Sequence, residues 1–326
     1  MMRRHFILAG LLALSSTGAL AQGTMRTPEG ALLDTDPSLA YQPGELNESQ
    51  LEASNADIML SEGMNVFRRF PPELTQQMVD FYTGALALRS LSPVQLTATQ
   101  QMILTGVGSM QIKLSAGQNG DRLYNLEGGY AGGTGLRFLL LRYPDADLVR
   151  ERFVAAGFAA PEFAERPDGA MQAMVKDPAG LDIILLAAPE LRDHSDDGVG
   201  VGINTSNLAA SRAFYRDFVG LEELEPVEAP TLGTTLYPYV NGETTVMLYQ
   251  IGEDLPADTG SSGLQYVVSD TPLAAARGAH RGVTVETPLN VLSGFGLVTV
   301  WLNDPDGVTN YFAQIDPARR VAPAGN

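Results

Sequence analysis

The chain has 326 residues, no cysteine, three histidines and a formal net charge of −17 at pH 7. The missing thiols exclude disulfides, thiolate metal ligands and lipoprotein attachment. The acidity argues against a phosphate backbone or an anionic membrane surface as partner, and so little histidine leaves Ser/His/Asp catalysis without its base.

Arg3-Arg4, the apolar run at 6–14 and Ala19-Leu20-Ala21 make up the charged, apolar and small-residue regions of an export signal, which predicts cleavage after Ala21 and a periplasmic or secreted protein. The apolar run is too short to anchor in a bilayer, and no later stretch reaches membrane length. Arg3-Arg4-His5-Phe6 also resembles a twin-arginine export motif. Residues 22–57 are polar, acidic and broken by Pro and Gly, and are expected to form an extended or disordered leader that ends in a short helix.

From residue 58 a β-α-β-β-β rhythm sets in. A strand is predicted at 65–70, an amphipathic helix at 72–88 and two or three strands within 95–114. A Gly-rich bridge at 117–135 leads to a second module, with a strand at 136–143, a helix at 145–156 and strands near 162, 171–175 and 181–187. The charged, turn-rich stretch 189–198 reads as a linker. A third module follows, with a strand at 199–205, a helix at 208–218 capped by Ser206 or Asn207, and strands near 225, 234–240 and 244–250. The fourth has a strand at 264–268, a helix at 272–279 and strands around 283, 298–302 and 309–314, before a tail at 317–326.

Two motif pairs show that one unit is used twice. Residues 301–314, WLNDPDGVTNYFAQ, form strand, Asp-Pro-Asp-Gly turn and strand, and residues 174–187, MVKDPAGLDIILLA, repeat the plan. Each is preceded by a Phe-Tyr pair, Phe81-Tyr82 in FYTGALAL and Phe214-Tyr215 in FYRDFVGL. In order and spacing these motifs resemble the vicinal oxygen chelate superfamily, which holds glyoxalases, bleomycin-resistance proteins and extradiol dioxygenases. The resemblance covers roughly 58–314. It implies an α+β fold of four βαβββ modules paired into two tandem domains, 58–188 and 199–316, with clefts formed by curled sheets.

The superfamily also implies a divalent metal held by His, Glu or Gln at four strand positions, acting as a Lewis acid on vicinal oxygens. In the second half those positions fall on Gly200, Met247, Gly263 and Tyr311. In the first they fall on about Val66, Lys113, about Phe138 and Ile184. None is a histidine or carboxylate, so no metal and no cofactor are expected, although an oxygen site using residues such as Asp182 stays open. His194 and His280 read as solvated surface residues.

The expected cleft is polar but not metallic. Asn204, Met247, Gln265, Tyr311 and Lys113 are the candidate ligand-binding residues, with Gly200, Gly202 and Gly263 leaving space beside the sheet. Lys113, with Arg68 or Arg142, could take a carboxylate or phosphate. The leading expectation is a binding protein for a small organic molecule. Two enzymatic alternatives remain: a metal-independent lyase or isomerase using Lys113 or Tyr311 as acid or base, and a metal-dependent glyoxalase or dioxygenase with unusual ligands. A homodimer is possible, because exposed sheet edges pair. Asp177, Asp304 and Asp306 read as turn-forming residues whose side chains accept local backbone N–H groups.

Overall fold

A computed structural model describes residues 37–61, 63–95, 101–118, 122–191, 198–292, 295–316 and 318, and two short strands, Met25–Arg26 and Leu32–Leu33, that pair antiparallel. The expected export signal, the tip of the tail and His194 lie outside the described residues. No helix among those described is long and apolar enough to cross a membrane.

The α+β plan of four modules is present. In each, the lead strand pairs in parallel with the closing strand: Asn65–Phe70 with Met110–Ala116, Gly135–Tyr143 with Asp182–Ala187, Gly200–Asn204 with Thr244–Tyr249, and Ser262–Val267 with Thr309–Ile315. That leaves every lead strand with one open edge, which needs a partner. Ser262–Val267 fills the edge of Asn65–Phe70, and Gly200–Asn204 fills the edge of Gly135–Tyr143, both antiparallel. The first and fourth modules thus share one nine-stranded sheet and the second and third share the other. The sheets do not follow the sequence limits 58–188 and 199–316, since each takes one module from each half.

The helices follow the sequence order that the sheets ignore. Thr75–Val79 runs into a π-helical turn, Asp80–Ala85, and Leu208–Ala213 runs into another, Phe214–Val219, so each Phe-Tyr motif lies in a widened turn. Phe81 packs edge-on against Phe153 and Phe158 of the second module, at 5.6 and 5.2 Å between ring centres. Phe218 meets Phe312 of the fourth at 5.9 Å. The two repeated motifs touch: Tyr82 donates its hydroxyl to Asp177 at 3.1 Å, and Tyr215 donates to Asp304 at 3.0 Å. Both aspartates also accept the backbone N–H groups of their own turns, from Ala179 and Leu181 and from Asp306 and Val308, as expected.

The end of the leader is structured. Glu48–Glu52 is a helix with a capping box at Asn47. Arg277, on helix Thr271–His280, grips Gln50 O, Ser54 O and the Asp57 carboxylate, while Arg281 bonds Leu51 O and Ala53 O.

The turn aspartates differ in charge environment. Asp177 forms a buried two-pronged pair with Arg68, at 2.8 and 3.1 Å. Asp304 has no cationic partner among the described residues, and burial pushes its carboxyl up to about 7. D177N should cost about 3–5 kcal/mol in urea unfolding, because it leaves the buried Arg68 charge unpaired. D304N keeps Oδ1 for the two turn N–H groups but sets an amide NH2 against the Tyr215 hydroxyl, and should cost about 1–2 kcal/mol at pH 8, less than D177N. The folded pKa of Asp304 exceeds the ordinary value of 3.8, so its contribution to stability falls as pH rises from about 4 to about 7. Relative to wild type, D304N should therefore fare better at pH 8 than at pH 4. Equal costs for the two variants, or no pH trend, would contradict this.

Candidate functional site

Strand register builds one face of the first-and-fourth sheet from residues distant in sequence. One cross-strand row reads Leu104, Lys113, Phe67, Gly263, and the next reads Asn65, Gln265, Tyr311, Trp301. Because strand side chains alternate, the neighbours Val66, Ile112, Leu264 and Phe312 point to the buried core on the other side. The face carries a cavity of about 170 Å³. Phe67, Arg69, Lys113, Ser115, Gln265, Trp301 and Tyr311 line its floor and wall, Val94, Met102 and Leu104 close one side, and Leu292, Phe295 and Leu297 of the long final hairpin close the other.

The cavity is apolar with a few polar tips. Lys113 Nζ donates to Gln265 Oε1, and Asn65 Nδ2 approaches the same oxygen at 3.4 Å. Asn65 is itself fixed by the Gln111 N–H, 2.9 Å from its Oδ1. Lys113 has no carboxylate partner among the described residues, and burial lowers its ammonium from 10.5 to about 8. Trp301 is 8% exposed and lies edge-on to Tyr311 at 5.2 Å. The Arg69 and Arg122 guanidinium groups lie 5.6 and 5.3 Å from its ring centre. Its indole N–H is buried without an acceptor among the described residues. A cationic, donor-rich point therefore sits in apolar walls on a protein of strongly negative charge.

On the other sheet the space over Gly202 is filled, and an open hollow lies to one side of it, lined by Tyr130, Met174, Lys176 and Asp182. Phe138 lies over Gly202, where an added Cβ would meet the ring at 2.1 Å, and stacks on Tyr249 at 5.7 Å. Met247, Leu140, Ile184 and Leu232 complete an apolar cluster, with Tyr130 packed against it. Tyr130 comes from the Gly-rich bridge, which Arg137 anchors through Gly129 O and Glu127 O and which Asp182 and Tyr249 bind through the Tyr130 backbone.

Of the residues expected in a cleft, Lys113, Gln265 and Tyr311 come together. Met247 packs in the closed cluster. Asn204 is fully buried and satisfies backbone groups, donating to Gly133 O and Ile251 O and accepting from Ile251 N. The glycines make room for protein: Phe67 covers Gly263 as Phe138 covers Gly202, and Met247 and Leu140 crowd Gly200. Arg68 is on the core side with Asp177, and Arg142 is in the other sheet, so Arg69 is the arginine of this face. Val66 also faces the core, one residue out of register with the lining Phe67. Trp301, Phe67 and Arg69 escaped sequence reasoning, though their period-2 spacing on strands beside Lys113 and Tyr311 was the available signal. His280 is exposed at a helix end.

The residues present do not fit a divalent metal. At the positions that the family resemblance marks, one face offers Phe67, Lys113, Gly263 and Tyr311, and the other Gly200, Phe138, Ile184 and Met247. An ammonium, apolar side chains and glycines supply no converging anionic or imidazole donors. Asp182 is engaged by Lys176 Nζ at 2.5 Å and the Tyr130 N–H at 2.7 Å.

Comparison with known proteins gives three findings. Residues 199–312 match the family model of the Glyoxalase/Bleomycin resistance protein/Dioxygenase superfamily. No curated protein sequence matches the chain. Among solved structures, glyoxalase I from Zea mays superposes with a TM-score of 0.59 at 15% identity, covering 79% of this chain and 94% of its own. A putative dioxygenase from Bacillus subtilis subsp. subtilis str. 168 superposes at 0.56 and 15% identity, covering 78% and 84%. At these identities the likeness is one of fold.

The half-buried amine has a thermodynamic signature. Its folded pKa lies below the ordinary value, so the protonated form destabilises the fold fully below pH 8, and the penalty fades as pH rises from about 8 to 10.5. Lys113→Met should raise stability at pH 7 by about 2 kcal/mol, and the gain should shrink toward zero near pH 10.5. A variant less stable than wild type at pH 7 would show that the amine makes structural contacts that outweigh its desolvation.

Proposed function

Because residues 199–312 belong to the glyoxalase/bleomycin resistance protein/dioxygenase superfamily and the chain carries that fold in both halves, we propose that this protein binds a small organic molecule in the cleft of the first and fourth modules without a transition metal. The ligand has a mainly apolar, flat body and one acceptor end, a carboxylate or a carbonyl. The carrying observation is the Lys113 amine in the apolar cavity, tied among the described residues only to a neutral amide. Holding that ammonium among apolar walls costs free energy that a ligand acceptor restores. Export to the periplasm or the medium, with cleavage after Ala21, belongs to the same reading and rests on the N-terminal charge and apolar pattern.

A catalytic reading has one specific observation in its favour. A lysine lowered to about 8 exchanges protons close to neutral pH, and Tyr311 lines the same cavity. A metal-independent lyase or isomerase with Lys113 as base is the second reading.

Trp301 is the only tryptophan in the sequence and lines the cavity, so its fluorescence reports occupancy. 3-Phenylpropanoate should change that fluorescence and raise the melting temperature, and acetate should do neither. Lys113→Met should weaken binding by about tenfold or more, the loss of one charge-assisted hydrogen bond. Dialysis against chelator should leave binding unchanged. Tight stoichiometric metal in the purified protein, or no fluorescence response across apolar carboxylates and carbonyls, would sink the proposal.

A further inference from the structure

We propose that Lys113 is a nucleophile that captures an aldehyde or ketone in the open cleft as a reversible imine. This deepens the binding reading above and rests on it, since it names the carbonyl class as the ligand that this cavity can hold covalently.

The argument begins with what surrounds the amine. Lys113 Nζ meets one polar partner, the Gln265 side-chain oxygen, and no carboxylate among the described residues. An amide oxygen accepts an N–H from neutral amine, ammonium or iminium alike, so it positions the nitrogen without demanding that it be charged. The walls around it, Met102, Leu104 and Phe67, are apolar and favour the neutral form. The lowered ammonium, about 8, is consistent with this placement.

The chain supplies its own contrast. Its only other lysine, Lys176, is more than half exposed and ion-paired with Asp182 at 2.5 Å, on the other sheet. An amine held as half of an ion pair is a poor nucleophile.

The step balances without a redox partner. The Nζ lone pair forms a bond to the carbonyl carbon and gives a carbinolamine. Its C–O bond then breaks, the oxygen leaves as water with the two protons that began on nitrogen, and a C=N bond remains. Addition of water reverses it.

The test uses the full chain with 3-phenylpropanal and cyanoborohydride, followed by peptide mapping, with Trp301 fluorescence recorded in parallel. Reductive trapping should label Lys113 at least about tenfold faster than Lys176 at pH 7.5, given the larger neutral fraction of an amine lowered to about 8. The preference should disappear in urea, where the two lysines are equivalent. Lys113→Met should lose the fast label while its far-ultraviolet circular dichroism stays that of wild type. Equal labelling of the two lysines in the folded protein, or faster labelling of Lys176, overturns the proposal. If 3-phenylpropanal changes Trp301 fluorescence reversibly and Lys113 is not trapped, the imine is wrong and the binding reading survives. If neither signal appears, both fail.

Discussion

Two hydrogen bonds, Tyr82 to Asp177 and Tyr215 to Asp304, fix how the halves of this protein are assembled. Each joins the helix of one module to the closing turn of the next, inside the core. The aspartate is at once a turn former, through its own loop N–H groups, and a buried acceptor for the tyrosine. Parallel pairing with its own closing strand leaves the lead strand of each module with an open edge. The edge is then satisfied by a module of the opposite half, so helix packing joins neighbours in sequence while sheet pairing joins first to fourth and second to third. The interlock makes one continuous buried core out of four units that could not each bury a sheet face alone.

The same interlock creates two faces, and the sequence has treated them differently. On one, Phe138 occupies the space over Gly202, Tyr249 stacks on it, and the Gly-rich bridge is folded down by Arg137 and Asp182. On the other, Phe67 covers Gly263 but the next row holds Lys113, Gln265 and Tyr311, and the long hairpin from Thr284 to Asn303 rises beside them with Trp301 in its wall. Bulk decides the outcome. A phenyl, a thioether and a tyrosine fill the first face. The second keeps an unbranched lysine and an amide where those groups would be, and a cavity remains. The divergence after duplication extends to the turns, since Arg68 neutralises Asp177 and its counterpart by motif alignment, Val201, offers Asp304 nothing.

Much of this was legible in the sequence, and the limits have physical causes. The four modules, the two motif pairs and the face alternation are local properties of a few consecutive residues, and they appear in the structure, although the strand expected around 283 runs from Thr284 to Leu292 and the helix expected at 72–88 ends at Ala85. The choice of sheet partner is not local: any lead strand has the same free edge, and only chain connectivity decides which edge meets which. Glycine misled for a related reason. Gly202 and Gly263 do lack side chains in order to leave space, but the occupant is a phenylalanine from the neighbouring strand, and strand-to-strand neighbours cannot be seen before register is known. Asn204 looked like a ligand group because strand alternation puts it on the same face as Gly200 and Gly202. Its partners are the backbone of Gly133 and Ile251.

Lys113 stood out in the sequence as a cation where a metal ligand would be expected, and the structure gives that substitution a physical meaning. A divalent ion and a half-buried ammonium both put positive charge at the floor of a cleft, and both can polarise a carbonyl or hold a carboxylate. They differ in what they require. A metal needs several anionic or imidazole donors converging on it, whereas an amine needs one neutral acceptor to hold it and apolar walls to keep its proton loosely bound. Gln265 is that acceptor, Asn65 steadies Gln265, and Phe67, Met102 and Leu104 are those walls. The glycine, phenylalanine and tyrosine at the other positions shape the cavity around Lys113.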